Sequence, residues 1–114
     1  MTTELSAEDA KLVTLARGAR GRVGAPEGAA VRDETGRTYS GATVALDGLG
    51  ISALRLAVAQ AAASGARGLE AAVVVGRSDV VADDDLLAVR ALGGNGVTVH
   101  LVGSDGSLLA TTSS

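Results

Sequence analysis

Residues 48–65 read GLGISALRLAVAQAAASG. Between Ser52 and Ser64 almost every residue is Ala, Leu or Val, and Arg55 and Gln60 are the polar breaks. At helical spacing Leu54, Val58, Ala61 and Ala62 share one stripe, while Ile51, Leu56, Ala59 and Ala63 fill much of the remainder. A helix apolar on most of its circumference is expected to be covered on both sides. Ser52 suits the N-cap, and Gly65 suits the left-handed position just past the end. The alanines favour helix and let backbones approach closely. The run is too short for a membrane span and carries Arg55. It reads as one buried helix on a sheet, with any pocket at its start.

Upstream, Ser6-Ala-Glu-Asp9 resembles a capping box, and Leu12, Leu15, Ala16 and Ala19 follow on one helical face. This first helix is expected to end among Gly18 and Gly21, with Arg17, Arg20 and Arg22 complementing its dipole. Met1 to Leu5 should fray. Gly28 to Arg32 is a short apolar run, Asp33-Glu-Thr-Gly36 a turn, and Arg37 to Leu46 a strand rich in β-formers. Together these predict a hairpin. Asp47 to Gly50 is expected to lead into the central helix.

Downstream, Leu69 to Val75 is an apolar run broken only by Glu70, as for a strand buried on both faces. Asp83-Asp-Asp85 opens a second amphipathic helix that Gly93 and Gly94 stop. Val97 to Val102 is another strand. Gly103 to Gly106 turns into a last strand, Leu108 to Thr111, before a polar tail. The expected architecture is a three-layer α/β/α sandwich with a mixed five-stranded sheet, in a single domain ordered over about residues 6–111. The two later helices share one face if their strands are consecutive neighbours, and the first helix covers the other. Both crossover helices start at the carboxyl ends of strands. That brings their N-termini, near Ser52 and Asp83, side by side at the expected pocket.

With 114 residues, the chain can bury about two thirds of its surface as one domain. It has no cysteine, so disulfides, thiolate metal sites and a cysteine nucleophile are excluded. Tyr39 is the only aromatic residue and the net charge is −3. Neither base stacking nor phosphate neutralisation has the side chains it needs, so no nucleic-acid partner is expected. Without a signal core or a spanning segment, no membrane is expected either, and a cytoplasmic protein is the expectation.

The expected pocket has Thr43, Ser52, Leu54 and Asp83 to Asp85 available for chemistry. Three consecutive aspartates at a helix start point about 100° apart and cannot all ligate one ion, whereas capping and dipole compensation account for them. Gly48-Leu-Gly50-Ile-Ser-Ala53 matches the dinucleotide fingerprint in form, but no acid follows at the distance a ribose contact requires. Ser52 has no base within the sequence pattern. The one histidine, His100, lies in an apolar strand and reads as a packed residue.

Longer stretches resemble the cytidine deaminase family. Tyr39-Ser-Gly-Ala-Thr-Val-Ala45 resembles its Y-x-G-x-N-V-E strand, and Gly28-Ala-Ala-Val31 its G-A-A-L strand. Gly48 to Gly65 is similar to the helix that begins G-L-x-x-C-A-E-R. The later strands and helix follow in the family's order, so the resemblance spans roughly residues 6–111. In such enzymes a Cys or His and two further Cys hold zinc, and a Glu moves protons. The resemblance sets Ser52 at the first ligand, Leu54 at the Glu, and Ala82 and Asp85 at the other two ligands. The Asn and Glu that hold ribose become Thr43 and Ala45. The aromatic-bearing loop before G-A-A-L shrinks to Gly24-Ala-Pro-Glu27.

Catalytic zinc requires three protein ligands. Losing the acid/base group alone costs about 10²–10⁴ in rate. The resemblance therefore implies a degenerate member with no catalytic residue, no metal and no cofactor. Its expected action is through homo-oligomerisation or a protein partner. The alternatives are a small-molecule or nucleoside binder that reuses the pocket, and a residual hydrolase with a non-zinc metal at the aspartates.

Overall fold

The computed structural model describes residues 5–114; residues 1–4, within the segment expected to fray, lie outside the described residues. Helix α1 spans Ala7–Val23. The Ser6 hydroxyl caps it by accepting from the Asp9 N–H at 3.1 Å. It runs through both Gly18 and Gly21, contrary to expectation, and stops at Gly24, whose left-handed φ of 63° closes the last turn. Glycine lowers helix propensity without breaking a helix that packing supports. Leu12, Ala16 and Ala19 supply that packing from one face.

Strands β1 (Gly28–Asp33) and β2 (Thr38–Ala42) form the expected antiparallel hairpin. Asp33 holds its turn together. One carboxylate oxygen accepts from the Thr35 and Arg37 N–H groups and the Thr35 hydroxyl, and the other accepts from Tyr39 Oη at 2.9 Å. Burial opposes the charge of Asp33, but these donors hold it below the ordinary carboxylate range.

The long second strand anticipated from Arg37 to Leu46 divides at Thr43. Strand β3 (Val44–Leu46) turns away and pairs with β4 (Leu49–Ile51) as a separate ribbon. The segment expected to lead into the central helix thus includes a short strand, Leu49–Ile51. Helix α2 (Ala53–Ala63) follows, capped by Ser52. Then come β5 (Leu69–Val75), α3 (Asp83–Gly93), β6 (Thr98–Val102) and β7 (Leu108–Ser113).

The five-stranded sheet has the order β2-β1-β5-β6-β7, with β5 and β6 the parallel pair. The last strand of this sheet before α2, β2, and the first after it, β5, are not neighbours, because β1 lies between them. β1 is antiparallel to both, so β2 and β5 still run the same way. Helices α2 and α3 touch each other on one face of the sheet, and α1 covers the other. Ala72 and Val74 of β5 join the α2–α3 core, while Ala71, Val73 and Val75 join the core under α1. This is the period-two alternation of a strand buried on both faces.

Three further expectations are corrected. Within this chain α2 is covered on one side only: Leu54, Ala57, Val58 and Ala61 are buried, and Ala59, Ala62 and Ala63 are exposed. Helix α3 gains no side-chain cap from its aspartates, because the N-cap is Ala82; their complement to the dipole is what remains. The polar C-terminus is not a loose tail. Ser114 bonds to Val97 through its backbone N–H and its hydroxyl, and the same hydroxyl donates to the Gly94 carbonyl at 2.7 Å.

Candidate site at the helix N-termini

The register places Gly28, Ala42, Val75 and Val102 at one end of the sheet. The loop before β1, the crossing from β2 to β3, and the segment entering α3 all meet there. Ser52 and Asp85 meet there directly. The Ser52 hydroxyl donates to Asp85 Oδ1 at 2.7 Å and accepts from the Arg55 N–H at 3.2 Å. One hydroxyl thus caps α2 and ties it to the first turn of α3.

Thr43 lies in the same region but faces a different partner. Its hydroxyl and N–H bind the Glu27 backbone, with the Glu27 N–H 3.2 Å from Thr43 Oγ1. Ala45 is exposed on β3 and Ala82 is exposed at the start of α3. Leu54 is completely buried in the α2 core. Of the six residues singled out from the sequence, the structure joins Ser52 to Asp85. It pins Thr43 nearby and takes Leu54 out of solvent.

Sequence reading missed Glu27. Its side chain lies against Gly76, just past β5, where a Cβ would sit 2.9 Å from Glu27 Cγ. Burial raises its carboxyl above the ordinary Glu value, and the neighbouring charge of Asp85 raises it further. A signal existed: Glu27 is the one acid between the first helix and an apolar strand, in a loop that the topology brings to the pocket end. The site therefore offers the Ser52 hydroxyl, the Asp85 carboxylate and a Glu27 carboxyl raised above its ordinary value. Those groups can donate and accept hydrogen bonds. Among the described residues, no group of three or more His, Cys, Asp or Glu side chains is placed to hold an ion.

His100 lies on the opposite, α1-covered face. It bonds to Asp9 Oδ2 at 3.0 Å and to the Thr111 hydroxyl at 3.0 Å. Asp9 also pairs with Arg32 at 3.0 Å, and Arg32 reaches Glu70 at 2.8 Å. Burial disfavours the charge on Asp9, but hydrogen bonds from His100 and Arg32 hold it below the usual range. This network joins α1 to the sheet and leaves His100 a packed residue without access to Ser52.

The cytidine deaminase-like family matches residues 5–106. The chain belongs to that family. This cytidine deaminase-like domain is similar to cytidine deaminase from Burkholderia pseudomallei, with 25% identity over 96% of this chain and 93% of that one, at a TM-score of 0.79. It is also similar in fold to cytidine deaminase from Mycobacterium leprae, at 21% identity, 96% and 94% coverage, and a TM-score of 0.72. No curated protein sequence matches it. Among the described residues of this cytidine deaminase-like domain, no helix is long and apolar enough to cross a membrane.

Proposed function

We propose that this cytidine deaminase-like chain acts without deaminating nucleosides, through contacts with copies of itself or with another protein. The observation that carries the proposal is the Ser52–Asp85 hydrogen bond of 2.7 Å. It occupies two of the positions that family resemblance sets beside zinc ligands. The third position, Ala82, offers a methyl group, and the position of the proton-moving Glu is the fully buried Leu54. A hydroxyl and one carboxylate, already satisfied by each other, do not fit a catalytic zinc that takes three protein ligands. Without the ion, water at neutral pH lacks the acidity that makes it a nucleophile.

Support for protein contacts comes from the surface. A shallow, mostly apolar groove between α2 and α3 is lined by Ile51, Val58, Ala59, Ala62 and Leu92, together with Arg55. Elsewhere Leu46, Leu49, Val80 and Leu87 are each more than half exposed. An isolated two-stranded ribbon such as β3–β4 is marginal alone, and a covering partner would stabilise it. Light scattering from dilute to concentrated protein tests this. The expected result is an assembly larger than one chain that Ala62→Arg dissociates. A strict monomer that captures no partner from a host lysate would contradict it.

A second reading, a small-molecule binder that reuses the pocket, is favoured by Glu27, whose carboxyl lies at the same pocket end and is raised above its ordinary value by burial and by the neighbouring Asp85. A thermal-shift screen with nucleosides, nucleotides and small amines separates the two readings.

A further inference from the structure

The two helices that meet at the pocket arrive there by separate routes. Helix α2 enters from the β3–β4 ribbon, and α3 enters from the loop after β5. Both N-termini carry a positive dipole end, and like ends do not attract each other. Something must hold them together. In a zinc deaminase an ion bound from both segments does so, but the donors of this chain do not fit that ion.

We infer that the Ser52–Asp85 hydrogen bond is a metal-independent clasp, holding the first turns of α2 and α3 together where relatives use an ion. Three contacts converge to make it. The Asp85 carboxylate accepts from the Ser52 hydroxyl at 2.7 Å, the short distance of a charge-assisted O–H···O bond. The hydroxyl has a fixed direction, because its lone pair accepts from the Arg55 N–H. Its partner sits three residues after the Ala82 N-cap, where a carboxylate also complements the α3 dipole. The clasp therefore offsets the positive ends of two helices with one negative charge. Behind it, the short loop bearing Glu27 is pinned to Thr43 and to Gly76, so the third strand end closes on the same point. The consequence is a native pocket end that forms without zinc.

The inference deepens the functional reading above and rests on its view of the ligand positions, yet the two can fail separately. The test is a double-mutant cycle on the full chain, with Ser52→Ala, Asp85→Ala and both together, followed by urea unfolding with chelator and again with added zinc. Each single change removes a cap or dipole contribution besides the clasp, so only the coupling is diagnostic. The expected result is a double variant whose folding equilibrium constant falls about tenfold less than the product of the two singles. Ser52→Thr, which keeps the hydroxyl, should retain most of the wild-type stability, and the wild-type midpoint should be the same in chelator and zinc. Independent, multiplying losses would overturn the clasp alone. A midpoint that rises with stoichiometric zinc would overturn both the clasp and the reading on which it rests.

Discussion

Glu27 carries the most direct consequence at the scale of single residues. Its carboxyl lies above its ordinary value of 4.5, through burial first and the Asp85 charge second. The unfolded chain releases that proton at the ordinary value, while the native chain keeps it over a window above. A carboxyl shifted upwards therefore adds stability in acid and loses it as pH rises through that window. Glu27→Gln should be more stable than wild type at pH 7, by less than about 1 kcal/mol, the range of a solvent-screened charge interaction. The difference should vanish below the ordinary value, as paired urea melts would show; a difference that does not change with pH would mean that the native fold does not raise this carboxyl. Asp9, Asp33 and Asp105 lie below their ordinary values, so they act in the opposite sense and only at more acid pH. The Asp9–Arg32–His100 network was foreshadowed by its strand members. Arg32 and His100 interrupt apolar strands, and buried polar groups require partners. That Asp9 would be the partner was not legible, because it depends on how α1 lies across β1 and β6.

At the scale of elements, the outcome divides by what sets each boundary. Leu69–Val75 was legible to the residue, and so was the start of α3 at Asp83, because flanking glycines and an acidic first turn mark them locally; Gly93, read as a stop, is the last residue of that helix. The end of α1 was not: Gly18 and Gly21 look like stops, but packing of Leu12, Ala16 and Ala19 carries the helix past them. The β3–β4 ribbon was hidden because Arg37 to Leu46 is one uninterrupted β-forming run, and only the Thr43–Glu27 contact shows where it leaves the sheet. Gly28 shows how closely α1 approaches β1. A Cβ there would run into the Ala16 carbonyl oxygen and within 2.8 Å of Arg20 Cβ. Backbone on the far side leaves no flexible side chain to yield. Gly28→Ala should therefore cost about 3 kcal/mol, the upper end for overpacking. Chemical denaturation measures it, and a loss under 1 kcal/mol would mean that α1 can shift on the sheet without penalty.

For the whole molecule, the layered α/β/α sandwich with helices segregated to two faces was readable from the order of elements and from framework residues such as Tyr39, Gly41 and the Gly48–Gly65 run. The candidate site was legible in part. Ser52 and Asp85 stood out individually as substitutions, but their bond joins residues 33 apart in sequence, and Glu27 entered only with the fold. On the functional reading proposed above, a family scaffold is kept while a hydrogen bond and a buried leucine stand where a metal would be gripped and a proton moved. The measurement that bears on this most directly is conversion of cytidine to uridine by purified full chain supplied with zinc, beside Ser52→Ala prepared identically. The account predicts no uridine above that control. Turnover by the wild-type chain that Ser52→Ala abolishes would contradict it.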